Sequence, residues 1–93
     1  MALTFDPEAA DRWRSLCLST QAYERQVRAA VATILRSLAQ SPQDHRVGAI
    51  QFLTTPVTWA RTVAATSGAN WLVVWTVDNA DIRVLRIEPA PSF

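Results

Sequence analysis

The chain has 93 residues, nine basic and eight acidic, for a net charge of +1. Hydrophobic residues make up 49% and charged residues 18%, which excludes intrinsic disorder and sets the expectation of one small domain. One cysteine, one histidine and two glycines exclude a disulfide framework, a Cys/His metal cluster and a glycine-rich phosphate loop. No apolar run approaches the ~18–20 residues that span a bilayer. The start, Met-Ala-Leu-Thr-Phe-Asp-Pro, has neither the basic nor the apolar stretch of a secretory signal. The expectation is a cytoplasmic protein with no membrane contact, no metal and no cofactor.

All nine basic residues are arginines, and they are unevenly placed. Residues 1–11 carry a charge of −3, residues 12–46 of +4 and residues 47–93 of 0. The central excess is compatible with an anionic partner, RNA or acidic protein, and equally with a solvated helix face.

In chain order, Leu3-Thr4-Phe5 alternates as a short strand does. Asp6-Pro7 then reads as a helix start, with Asp6 as N-cap and Pro7 at the first helical position. Ala10, Trp13, Leu16 and Cys17 follow at helical spacing to about residue 18, and Cys17 is expected as a small buried hydrophobe. Ser19 or Thr20 caps the next helix, residues 21–40. Val27, Ala30, Val31, Ile34, Leu35 and Leu38 line one side of it, and Arg25, Arg28 and Arg36 share the other. Pro42 ends it.

Residues 41–48 read as a polar loop. Ala49 to Leu53 is a short apolar run of undecided type. Thr58 to Ala64 reads as a strand with Trp59, Arg61 and Val63 on one side. A turn is expected at Thr66–Asn70. Trp71 to Val77 is almost wholly apolar, as a central strand buried on both faces would be. Asp78–Asp81 is a hairpin turn, Ile82–Ile87 the last strand, and residues 89–93 a flexible tail. The order β-α-α-β-β-β, two helices on a mostly antiparallel sheet, predicts one α+β domain over residues 1–88.

That order resembles the RelE/ParE superfamily of bacterial toxins. Thr4-Phe5-Asp6-Pro7-Glu8-Ala9-Ala10 is similar to the family's strand-to-helix passage, an aromatic followed by x-P-E-A. Ile34 to Pro42 resembles the close of its second helix, and Leu53 to Trp59 the approach to its second strand. Trp71 to Val77 and Ile82 to Ile87 resemble its central and last strands. The resemblance spans roughly residues 3–88. It implies the toxin of a type II toxin–antitoxin system, neutralised by a cognate antitoxin and acting by ribosome-dependent mRNA cleavage or by binding DNA gyrase. The alternative is a noncatalytic interaction module of the same fold.

The sequence departs from the nuclease branch where chemistry is done. Leu72 and Thr76 stand where many members carry arginine, Glu88-Pro89-Ala90-Pro91 where a His-Arg pair and later a tyrosine often occur, and lysine is missing. Arg61 and Arg86 remain as candidate catalytic residues, able to stabilise phosphate charge but not to accept a proton at neutral pH. Both are equally readable as salt-bridge partners of Asp78, Asp81 or Glu88. Arg83 falls on the other side of the last strand by strict alternation. Trp59 and Trp71 read as core or as stacking and anchoring residues for RNA or a partner helix, whereas Trp13 and Trp75 read as core. Arg25, Arg28 and Arg36 complete the candidate binding set. Tyr23 lies on the second helix, away from the expected site, and His45, in a polar loop beside Asp44 and Arg46, reads as an incidental loop histidine or as a catalytic one. The oligomeric state is not legible.

Overall fold

The computed structural model describes residues 3–64 and 70–90. The elements are β1 (Leu3–Phe5), α1 (Pro7–Leu18), α2 (Ala22–Gln40), a 3-10 turn (Pro42–Asp44), β2 (Ile50–Phe52), β3 (Thr58–Val63), β4 (Trp71–Asp78) and β5 (Asp81–Pro89). The sheet order is β1-β5-β4-β3-β2, with β1 parallel to β5 and the other pairs antiparallel. The fold is α+β: both helices pack on one face of a mixed five-stranded sheet.

The helices form for the expected reasons, with two differences in detail. Asp6 stands at the N-cap of α1 with Pro7 after it, but its carboxylate caps no backbone N–H. That carboxylate turns to Arg83 instead, 3.1 Å from its Nε. Before α2, Ser19 Oγ accepts the Gln21 N–H (3.2 Å) and donates to Glu24 (2.7 Å), closing the turn between the helices. Val27, Val31, Ile34, Leu35 and Leu38 of α2 are buried as its periodicity requires.

One core lies between helices and sheet. It joins Ala9 and Leu16 of α1 and the apolar stripe of α2 to Trp59, Val63, Trp71, Val73, Trp75, Ile82, Val84 and Ile87. Cys17 is exposed, against expectation. Only a narrow stripe of α1 faces the sheet, through Ala9, half-buried Trp13 and Leu16, and Cys17 stands one residue round from it.

The sheet holds one strand more than expected. The undecided run around Ile50 is β2, an edge strand beside β3. At the hairpin, Asn79 takes a left-handed φ of 58°, which asparagine tolerates better than most residues. β5 continues to Pro89, beyond the expected end, and the Ala90 N–H bonds the Asn70 carbonyl at 2.7 Å. Most of the turn expected at Thr66–Asn70 and the end of the tail, residues 91–93, lie outside the described residues.

Candidate functional site

Sheet register assigns each candidate residue to a face, because cross-strand partners project to the same side. Trp59 pairs with Trp75, Arg61 with Val73 and Val63 with Trp71. These face the helices. Ala60 pairs with Val74 and Thr62 with Leu72, so these face away from them. Across β4 and β5, Val73 pairs with Ile87 and Trp75 with Val84 on the helix side, while Val74 pairs with Arg86 and Thr76 with Arg83. Leu85 has no partner and forms a bulge.

The two proposed catalytic arginines are therefore on opposite faces. Arg61 points to the helix side and Arg86 to the helix-free side, so they do not share one phosphate site. The bulge also brings Arg83 to the face of Arg86, where strict alternation separates them. Both are held by carboxylates. Arg86 Nη1 lies 3.1 Å from Glu8 and 3.8 Å from Glu88. Arg83 meets Asp6 through Nε and Asp78 through Nη1 at 3.3 Å. The Arg83 Nε is buried and near Asp6 without hydrogen-bond alignment, so that contact is an ion pair only. The Glu88 contact of Arg86 matches the salt-bridge reading of the sequence, whereas Asp78 pairs with Arg83 and Arg61 meets no carboxylate at ion-pair distance among the described residues.

Trp59 and Trp71 are buried on the helix side, which corrects their candidacy as exposed stacking residues. The Trp71 indole N–H donates to Tyr23 Oη at 2.9 Å, and Arg12 covers its ring at 5.4 Å. Arg46 lies 5.5 Å over the Trp59 ring. Arg25 and Arg36 are exposed on α2, whereas Arg28 is tied to the chain by donating to the Cys17 carbonyl at 3.1 Å.

His45 is not an incidental loop residue. Its Nδ1 accepts the Trp75 indole N–H at 3.1 Å, and its ring packs edge-on to Trp59 at 4.5 Å. Burial, then the adjacent Arg46 guanidinium, lowers its pKa below the usual 6.5. A neutral imidazole that accepts at Nδ1 carries its proton at Nε2. Such a ring offers a donor and has no lone pair left for a substrate hydroxyl, so it is no general base as it stands. A cleft of about 480 Å³ between α1 and β5 is lined by Glu8, Asp11, Arg12, Ser15, Arg86 and Glu88 among others. Within it Arg86 pairs with Glu8 and Glu88, Asp11 pairs with Arg14 at 3.4 Å, Arg12 covers Trp71, and no base is bonded to Ser15 among the described residues. No three His, Cys, Asp or Glu side chains there gather as a metal site requires.

What the helix-free face does offer is apolar surface. Ile50 and Phe52 pair with Ala60 and Thr58 and lie beside Leu72 and Val74 on the same side. Thr76 is buried at one end of this face, where it donates to the Val57 carbonyl at 2.8 Å and ties the segment before β3 across it. Arg83, the cross-strand partner of Thr76, and Arg86, with their acids, form the border on β5, away from β2. The faces of Arg83 and Arg86 and the partner of His45 escape sequence reasoning, since a bulge and a contact thirty residues away leave no local signal.

No protein-family model, curated protein or solved structure matches the chain. No helix among the described residues is long and apolar enough to cross a membrane.

Proposed function

We propose that the protein is a noncatalytic protein-binding domain whose helix-free sheet face receives its partner. The observation that carries this reading is the division of the sheet. Its charged groups are split between two faces and largely paired, while Ile50, Phe52, Leu72 and Val74 form an apolar strip that neither helix covers. Apolar strips with a polar border suit protein contact better than phosphate chemistry.

Within that class, the element order and the two helices on a mostly antiparallel sheet favour a toxin of the RelE/ParE type. Its antitoxin is then the silencing partner, and inhibition runs by binding, with DNA gyrase as the candidate target, rather than by mRNA cleavage on the ribosome.

The test is induction in a bacterial host, with and without the neighbouring reading frame, following growth and mRNA integrity. Growth arrest with intact mRNA, relieved by the neighbour's product, is expected. Leu72→Lys with Val74→Lys abolishes the arrest and the copurification of the two proteins while leaving the far-ultraviolet circular dichroism unchanged. Cleaved mRNA overturns the noncatalytic reading. Absence of arrest with a partner still captured removes the toxin role and keeps the binding domain.

A further inference from the structure

β2 is the last strand on its side of the sheet, and Ile50, Gln51 and Phe52 are all exposed. Its outer backbone edge meets no strand among the described residues. Natural sheets commonly defend such edges with charge, proline or a bulge. β2 has no charged residue and no proline, and the bulge of this sheet lies between β4 and β5. The surface around the edge is apolar: Leu53 is 89% exposed, Ile50 58% and Phe52 45%.

The two sides of this edge differ in chemistry. Toward the helix-free face, Ile50 and Phe52 extend the strip formed with Ala60, Leu72 and Val74. Toward the helix side the surroundings are cationic. Arg46 lies over Trp59, the cross-strand partner of Gln51. The Arg61 guanidinium lies beside Gly48, two residues before β2; a Cβ at Gly48 would stand 3.6 Å from Arg61 Nε. Among the described residues neither Arg46 nor Arg61 is within ion-pair distance of a carboxylate, whereas Arg83 and Arg86 each have two.

We infer that β2 takes an extended segment of a partner protein as a sixth strand, and that this segment alternates apolar and acidic side chains. This rests on the binding-domain reading and names the chemistry of what is bound. Main-chain bonds along β2 supply the attachment, and alternate side chains supply the choice of partner. Because side chains alternate along a strand, every acidic residue of such a segment faces the side of Arg46 and Arg61. Every apolar residue then falls beside Ile50 and Phe52. A basic segment in the same register brings like charge to two unpaired guanidinium groups.

The test uses the full chain and two fluorescein-labelled peptides, Glu-Val-Glu-Ile-Glu-Val-Glu and Lys-Val-Lys-Ile-Lys-Val-Lys, followed by fluorescence anisotropy. The acidic peptide is expected to bind about tenfold more tightly, as two partly screened ion pairs allow. The gap closes in the Arg46→Gln, Arg61→Gln variant and at high salt, and amide resonances of residues 50–53 shift on binding. Equal affinity for the two peptides, no binding of the acidic one, or shifts elsewhere on the chain overturns the inference. If the natural partner is still captured through Leu72 and Val74 in that event, the binding-domain reading survives. If no partner is captured by the unaltered chain, that reading fails with it.

Discussion

Toward the helices β4 presents Trp71, Val73 and Trp75, all buried; away from them it presents Leu72 and Val74, half-buried, and Thr76. One strand thus carries two kinds of surface. The helix side is built of large aromatics whose polar atoms are matched within the fold, Trp71 to Tyr23 and Trp75 to His45. The other side is built of smaller aliphatics and threonines, bordered by paired charges. Stability resides on the first side, and on the proposed reading it is separable from partner binding on the second.

The strongest way to break that separation is to cut into each side in turn. Trp75→Ala opens the centre of the core, where the ring is fully buried, and leaves His45 Nδ1 without its donor. The expected loss is ~3–5 kcal/mol, a large part of the ~5–10 kcal/mol that holds a chain of this size together. Urea unfolding followed by circular dichroism measures it. Leu72→Ala, on the other face, is expected to cost no more than ~1 kcal/mol by the same assay. Equal losses would mean that the two sides are not independent.

A second prediction sharpens the contrast between the two indole bonds, since the one from Trp75 ends on an imidazole, the side chain whose charge changes near neutrality. Burial and Arg46 hold the folded His45 pKa below the ordinary 6.5. Among the described residues no hydrogen bond or ion pair joins His45 to a carboxylate; Arg46 stands beside it, and the Trp59 and Trp75 rings pack against it. The unfolded chain therefore takes up that proton more readily than the folded one. Stability from this group is complete above the ordinary value of 6.5 and falls as pH drops below it through the lowered folded value. Urea midpoints taken between about pH 5 and pH 8 should decline on the acid side, and His45→Gln should flatten that decline. A variant with the unaltered slope would place its origin elsewhere. Smallest of all is Arg86→Ala. Its guanidinium is 56% exposed and its partners are open to solvent, so a change under ~0.5 kcal/mol in the same melts is expected.

The sequence makes some of this plain and hides the rest for identifiable reasons. The stripe of α2 extends long enough for its period to show, and the run from Trp71 to Val77 reads as a strand because it is almost wholly apolar; it is not buried on both faces as expected, since Leu72 and Val74 on the helix-free side are only half-buried. β2 has three residues, too few for any period. Asp6 reads as a cap because caps are local, but Arg83, seventy-seven residues on, takes its carboxylate. Cys17 reads as buried because spacing gives direction and not the width of the contact. For the candidate site, it is legible from residue type alone that Arg61 and Arg86 can bind an anion. Their separation onto opposite faces is not, because it depends on β3 and β5 pairing with adjacent residues of β4.

Leu85 has one more consequence, for how this chain tolerates insertion and loss. On β5, Ile82, Val84 and Ile87 point to the core and Arg83, Arg86 and Glu88 away from it, with Leu85 left over. Removing Leu85 restores plain alternation and leaves each of these six side chains on its present face. Removing Ile82 or Ile87 instead deletes a core side chain outright. The bulge is thus a spare residue in the reading frame of the strand, and what it adds is curvature. Lineages related to this one can be expected to gain or lose a residue there while keeping the same core.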